Sequence, residues 1–409
     1  MRVANKSGKR ESRPRDRRDQ IRRAAAELFN RNGYQAVRLE HVAEEVGVTA
    51  SALYRHFPNK QALLTSAALR GVSRVADTVD TASHANQPAD EALDQLLRSL
   101  AAATVDHHGS AALWKREARE MLPADREVIR NRLRQMIVQL GELLQRARPD
   151  LEAPEAELLA RSVFAVTTSL SQRLPPLTPE LLQQRLHQMT TSVASLGVPL
   201  VTAADLGQGF ETPDSDPATF VSWYASRREA LLAAAAHLFL QNGYASVSME
   251  DLGRVAGLAA PNIYRYFPGK ADILSTLLAR SSALLSTDGA RAVRIASDPS
   301  EILKQLLRAY SRNALEHTEL IALALSESVH LTGDHAVQFE QVREEYFAQW
   351  TQAIAVHRPE LSSTEIRIFT LATMTVINDA SRVRRLRRRP DLAEELPVIG
   401  MRLINGDPS

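Results

Sequence analysis

Residues 33–64, GYQAVRLEHVAEEVGVTASALYRHFPNKQALL, decide the fold. Val42, Ala43 and Val46 form a short helical stripe, Gly47 breaks it, and Thr49 can cap a second helix that runs through Tyr54. Two short helices joined by a glycine-containing turn make a helix-turn-helix, with helices expected at 40–45 and 49–56. Upstream, Ile21, Ala24, Ala25, Leu28 and Phe29 recur at helical spacing, and Gly33 supplies a left-handed stop. Downstream, Pro58 ends the second short helix, and Asn59 can cap a long one running from Lys60 towards Val79.

The whole pattern returns 210 residues later. Leu238, Phe239, Asn242, Gly243, Tyr244, Val247, Glu250, Gly257, Tyr264, Arg265, Phe267, Pro268, Lys270 and Leu274 repeat Leu28, Phe29, Asn32, Gly33, Tyr34, Val37, Glu40, Gly47, Tyr54, Arg55, Phe57, Pro58, Lys60 and Leu64 without a gap. Leu231 stands for Ile21. The same offset holds outside the helix-turn-helix, where Gln95-Leu96-Leu97-Arg98 matches Gln305-Leu306-Leu307-Arg308 and Arg148-Pro149-Asp150-Leu151 matches Arg358-Pro359-Glu360-Leu361. An entire unit is therefore doubled. Between the copies, LGQGFETPDSDPAT at 206–219 is rich in Gly, Pro and acidic residues and lacks apolar periodicity, which marks a linker. Trp223 and Tyr224 just after it are expected to pack on unit 2.

The order Gly47-Val48-Thr49, Leu53-Tyr54-Arg55-His56-Phe57 and Lys60 resembles the DNA-binding domain of the TetR family of bacterial transcriptional regulators. The doubled architecture is similar to the tandem TetR-type regulators of actinobacteria, some of which control lipid or sterol uptake genes. The resemblance implies an all-α chain of two fused units, each a helix-turn-helix domain followed by a helical ligand and dimerisation domain. The expected divisions are a basic flexible arm at 1–15, DNA-binding domain 1 at 16–64, regulatory domain 1 at 65–205, a linker at 206–222, DNA-binding domain 2 at 223–274 and regulatory domain 2 at 275–409. In the family, the last two long helices of a subunit form a four-helix bundle with a partner. Here a helix opening at Thr178-Pro179-Glu180 and the segments 365–379 and 391–403 would supply both halves of that bundle from one chain.

Composition agrees with a helical regulator. Hydrophobic residues make up 44% of 409, ample for real cores, while 17 Gly and 19 Pro are too few for a turn-rich sheet protein. There is no Cys, hence no disulfide framework or thiolate metal site. No apolar run approaches the roughly 20 residues of a membrane helix, and a charged N-terminus replaces a signal sequence, so a cytoplasmic protein without membrane contact is expected. The net charge of +2 conceals a crowd of cations between Arg2 and Arg23, opposed only by Glu11, Asp16 and Asp19. Beside a helix-turn-helix, such an arm suits phosphate or minor-groove contact; a solvated tail is the competing reading.

The expected partner is a double-stranded DNA operator. Thr49, Ala50, Ser51 and Ala52 are small enough for the second helix of unit 1 to approach the major groove by its N-terminus, with Tyr54 and His56 reaching backbone or base edges. Lys60 at the start of the next helix would hold a phosphate, and Arg38 another. Phe57 reads as core, and Tyr54 could serve either packing or contact. In unit 2 the cap is replaced by Ala259 and a small residue by Pro261, which removes one amide. Asn262 suits adenine, Tyr264, Tyr266 and Lys270 keep backbone-contact chemistry, and Arg227, Arg228 and Arg254 add charge. Unlike heads favour different bases, so one chain is expected to act as an intramolecular pseudo-dimer on an asymmetric operator.

The resemblance also implies an effector held in the helical body, most simply in a repressor. Candidate lining residues are Trp114, Met121, Met136 and Phe164 in unit 1, and Tyr310, Phe339, Tyr346, Phe347, Trp350 and Met374 in unit 2; plain core packing is the competing role. Such a lining implies an apolar ligand, a lipid, sterol or acyl thioester. No cofactor and no metal is expected: His107-His108 and His330 with His335 lack helical ligand spacing. An enzyme is disfavoured by the absence of a Gly-rich phosphate loop and of a Gly-x-Ser-x-Gly elbow. The Arg-rich run from Arg382 to Arg389 reads as a solvated or helix-terminal patch. The alternative to a regulator is a protein-interaction module with degenerate DNA-binding heads.

Overall fold

The structure, a computed structural model, describes residues 14–170, 177–197 and 226–406. The linker at 206–222, Trp223, Tyr224 and nearly all of the basic arm lie outside them. Unit 1 comprises α1 (Pro14–Asn32), α2 (Leu39–Val46), α3 (Ala50–His56), α4 (Lys60–Ser83), α5 (Ala89–Glu117), α6 (Pro123–Ala147), α7 (Ala153–Thr168) and α8 (Pro179–Ala194). Unit 2 comprises α9 (Arg227–Asn242), α10 (Met249–Ala256), α11 (Ala260–Ile263), α12 (Lys270–Ile295), α13 (Pro299–Glu316), α14 (Thr318–Ser326), α15 (Gly333–His357), α16 (Ser363–Ser381), α17 (Arg384–Arg387) and α18 (Leu392–Asn405). No strand occurs among the described residues. The first helix starts at Pro14, within the stretch read as an arm.

Local chemistry sets these limits. Asn59 accepts the Ala62 amide at 2.8 Å to open α4, and Thr178 accepts the Leu181 amide at 3.3 Å to open α8, with Pro179 in its first turn. Gly33 and Gly47 close α1 and the α2 turn at φ +77° and +68°, and Gly243 and Gly257 repeat this in unit 2 at +83° and +65°.

Three cores result. Phe29, Leu53, Phe57 and Leu64 centre head 1, and Phe239, Ile263, Phe267 and Leu274 centre head 2. Each such fully buried large side chain contributes about 1.5–3 kcal/mol of transfer free energy. The third core belongs to both units at once: Leu159 and Val163 of α7 and Met189 of α8 join Phe369 and Val376 of α16 and Ile399 of α18. Helix α7 packs on α16 and α8 on α18, so a four-helix bundle is closed within one chain. Arg185 pairs with Glu365 at 2.7 Å, Arg385 with Glu157 at 3.2 Å and Arg389 with Glu155 at 3.4 Å across that seam. The Arg-rich run is thus partly a bundle clasp, which its sequence alone did not reveal.

Candidate nucleic-acid interface

Head 1 presents α3 from a firm base. Thr49 Oγ1 accepts the Ala52 amide at 3.2 Å, and Leu53 and Phe57 anchor the helix in the core. Arg18 lies over the Phe57 ring at 5.2 Å. Outward, Thr49, Ser51, Tyr54 and Arg55 are exposed, Tyr54 by 48%, while Ala50 and His56 are half-buried. A tyrosine so exposed next to a buried phenylalanine is available to a ligand. Arg38 is exposed at the start of α2, where its amide donates to His41 Nδ1 at 3.3 Å.

Head 2 repeats the base but not the helix. Arg228 lies over Phe267 at 4.7 Å, and Ile263 and Phe267 are buried. Ala259 offers no side-chain cap, Pro261 stands in the first turn, and α11 ends at Ile263. Residues 264–266 continue as a turn, with Tyr266 N–H donating to Ile263 O at 2.9 Å. Asn262, Tyr264, Arg265 and Tyr266 are nevertheless exposed. Gly253, where unit 1 has Ala43, allows this shorter element to sit close: a Cβ there would meet Ile263 Cδ1 at 2.5 Å and Leu258 O at 2.8 Å.

The two lysines, expected at phosphates, are engaged inside the heads. Lys60 Nζ donates to Tyr34 O at 2.8 Å, Val37 O at 2.9 Å and Gln35 O at 3.4 Å, and stands 4.1 Å from the Tyr34 ring centre. Lys270 does the same with Tyr244 O at 2.6 Å, Val247 O at 2.9 Å and Ala245 O at 3.3 Å, over the Tyr244 ring. An ammonium has three donors, and here all three are spent on carbonyls. Burial pushes both lysines below the ordinary pKa, with Glu120 and Glu117 opposing at Lys60. Each lysine thus staples the loop after the first helix to the start of the fourth. Arg55 and Arg265, one on each head and both exposed, are cations that the sequence reading left out of the contact set although the repeat pairs them.

Profile comparison matches "Bacterial regulatory proteins, tetR family" at 21–67 and again at 231–277, and a "Tetracyclin repressor-like, C-terminal domain" at 296–382. The chain belongs to the TetR family. Relatives include the transcriptional repressor KstR of Rhodococcus jostii, 29% identical over 154 residues, 37% of this chain and 68% of KstR. The regulator EthR of Mycobacterium tuberculosis is 37% identical over 94 residues, 22% of this chain and 36% of EthR. The activator FasR of Mycolicibacterium smegmatis is 37% identical over 84 residues, 20% of this chain and 38% of FasR. A TetR-family regulator from Bordetella parapertussis superposes with a TM-score of 0.40 at 18% identity, covering 44% of this chain and 94% of its own. The present protein is thus a tandem TetR-family member and a DNA-binding transcriptional regulator, in a family of regulators rather than enzymes.

In this TetR-family chain the helical body of unit 1 contains a cavity of about 340 Å³, within the usual range of small-molecule sites. Trp114, Met136 and Phe164 are among the residues that line it. Met121 does not: it is buried in the head 1 core. The unit 2 candidates are also packing residues. Tyr310, Tyr346 and Trp350 fill one aromatic cluster with centroids 5.7–6.4 Å apart, Phe339 packs against the head 2 core, and Phe347 lies under Arg367 at 4.7 Å. The polar lining of the cavity, Arg74, Arg161, Asp379 and Arg382, was not foreseen, because it is assembled from helices distant in sequence. Among the described residues no group of three or more potential ligands could hold a metal. His330 instead stacks on Tyr244 with centroids 5.0 Å apart. No helix of the described residues is long and apolar enough to cross a membrane.

Each head is tied to its body by a repeated glutamate. Glu117 Oε1 accepts the Tyr34 amide at 3.3 Å, and Glu327 Oε2 accepts the Tyr244 amide at 3.1 Å. Glu327 is 1% exposed; His330 of its own unit lies 3.7 Å from it, and its arginine comes from the other unit, where Arg119 pairs with it and also donates to Leu240 O at 3.0 Å, at the end of α9. Val329 occupies the position equivalent to Arg119, so that position returns no arginine from unit 2 to head 1.

Proposed function

We propose that the chain is a ligand-responsive repressor that uses its two unlike heads as an intramolecular pseudo-dimer on an asymmetric operator. The observation that carries this reading is the closed bundle of α7, α8, α16 and α18, which joins two exposed helix-turn-helix faces in one polypeptide. Thr49, Ala50, Ser51, Tyr54, His56 and Arg38 would serve one half-site, and Asn262, Tyr264 and Tyr266 the other, with Arg55 and Arg265 supplying phosphate contacts. Their different N-terminal residues, Thr-Ala-Ser-Ala against Ala-Ala-Pro-Asn, support unlike half-sites. The name of KstR as a repressor supports repression, and that of FasR as an activator marks the opposite sign among the relatives. The apolar part of the cavity lining supports an apolar effector of the lipid, sterol or acyl thioester kind, acting by differential affinity for the two head spacings. A cytoplasmic location follows from this reading.

A mobility-shift titration on DNA upstream of the chain's own gene tests it. Binding should weaken steeply between about 50 and 200 mM salt, as counterion release at several phosphates demands. Absence of a shift, or a shift indifferent to salt, would refute DNA recognition by these heads.

A further inference from the structure

The 210-residue offset allows the two bodies to be compared position by position, and the comparison is one-sided. Leu100 and Met136 line the unit 1 cavity; their counterparts are Tyr310 and Tyr346. Ala103 becomes Asn313, the buried core residue Leu140 becomes Trp350, and Thr168 becomes Asn378. The larger side chains occupy the space themselves. Tyr310 donates to Asn378 Oδ1 at 3.1 Å, and Tyr310, Tyr346 and Trp350 are at most 5% exposed. The Tyr346 and Trp350 rings pack edge to face beside them, and the space is taken up by these side chains themselves.

The charged groups differ in the same sense. Arg74 and Arg161 line the unit 1 cavity, and their counterparts are Leu284 and Leu371. Arg161 is held by Glu157 at 2.9 Å. Arg74 is pushed below its ordinary pKa by burial and by the nearby cations Arg70 and Arg23, against the pull of Asp19. A third arginine, Arg382, comes from the end of α16 of the other unit, is exposed, and stands on the wall with Asp379. Crowded cations beside an apolar hollow favour a negative group there.

We propose that each chain takes up one amphiphile, an apolar body with an anionic head, in the unit 1 cavity, and that the corresponding space in unit 2 is permanently filled by Tyr310, Tyr346 and Trp350. This rests on the ligand-responsive reading and narrows it to one ligand class and one site. A single site can still address both heads. Trp114 of the cavity precedes, on one helix, Glu117, which holds head 1, and Arg119 follows and holds head 2. Displacing this one segment would reposition both heads.

The test is ligand stoichiometry on the full chain in the absence of DNA, by calorimetry and native mass spectrometry, with dodecanoate and dodecanoyl-coenzyme A as anionic probes and dodecanol as the neutral control. One anionic probe per chain is expected, with dodecanol at least 10-fold weaker; the two anionic probes distinguish a free acid from a thioester. Two probes per chain, none, or equal affinity for dodecanol would overturn the proposal, and the salt-dependent DNA shift would be untouched by any of these results. Leu100→Tyr, which imports the unit 2 filler, should abolish uptake with the helical signal intact. Should that variant fail to fold, Arg382→Ala gives the second reading: a 10-fold or greater loss for the anionic probes only, against an unchanged affinity that would contradict the assigned head group.

Discussion

Head 1 caps its recognition helix with Thr49 and carries it for seven residues to His56, whereas head 2 starts at the uncapped Ala259 and its helix ends after one turn at Ile263. The core beneath is the same in both: the lysine staple, the glutamate that holds the tyrosine amide and the arginine over the buried phenylalanine all recur. What diverged is the exposed face of the helix-turn-helix; what was kept is the means of holding it.

The largest effect is expected where the two heads differ in their tie to the body. Arg119→Ala leaves the buried Glu327 carboxylate without its guanidinium, with only His330 nearby, and should destabilise head 2 by about 3 kcal/mol. Hydrogen exchange should report it as lost protection in α9 and α10 with α1 and α2 unchanged; equal loss in both heads would show that Arg119 does not serve head 2 in particular. Next come the staples, where the heads are alike. Lys60→Met strands the Tyr34 and Val37 carbonyls and should cost about 2–3 kcal/mol in head 1, and Lys270→Met about the same in head 2. A variant that folds with unchanged stability yet loses DNA affinity would assign Lys60 to a phosphate and not to the staple.

Smaller effects sharpen the contrast at the reading surface. Thr49→Ala should cost about 1 kcal/mol through the lost cap, and Ala259→Thr should recover a similar amount in head 2, both readable by thermal melting. At the seam between the units, burial raises the Glu365 carboxyl, but the Ser362 hydroxyl and amide and the Arg185 guanidinium outweigh it and hold the pKa below the usual value of 4.5. A depressed carboxylate stabilises the fold above its unfolded pKa and ceases to do so as pH falls through the folded one. Arg185→Ala should therefore cost about 1 kcal/mol at neutral pH, and the difference from the parent should vanish on acidification below pH 4.5.

Much of this was legible beforehand. The repeat at a fixed offset, the glycine stops, the caps at Asn59 and Thr178 and the bundle helices near 365–379 and 391–403 are local signals, and local signals survive in a sequence. What stayed hidden shares one physical cause. Lys60 and Lys270 look like phosphate ligands because they open helices, yet the carbonyls that claim them lie some 25 residues earlier in the chain. Tyr310 and Trp350 look like pocket residues for the same reason that Trp114 does; only the position of facing helices decides which aromatics line a hollow and which fill it. Arg382 read as part of a solvated run, and only the seam between α7 and α16 places it beside a cavity in the other unit.

The central claim is that one polypeptide reads an unsymmetric site with two different heads. Selection of bound sequences from a random duplex pool with purified chain, followed by weighing the complex by native mass spectrometry, tests it directly. The account predicts a consensus with two unlike halves and one chain per duplex; a palindromic consensus that requires two chains would contradict it.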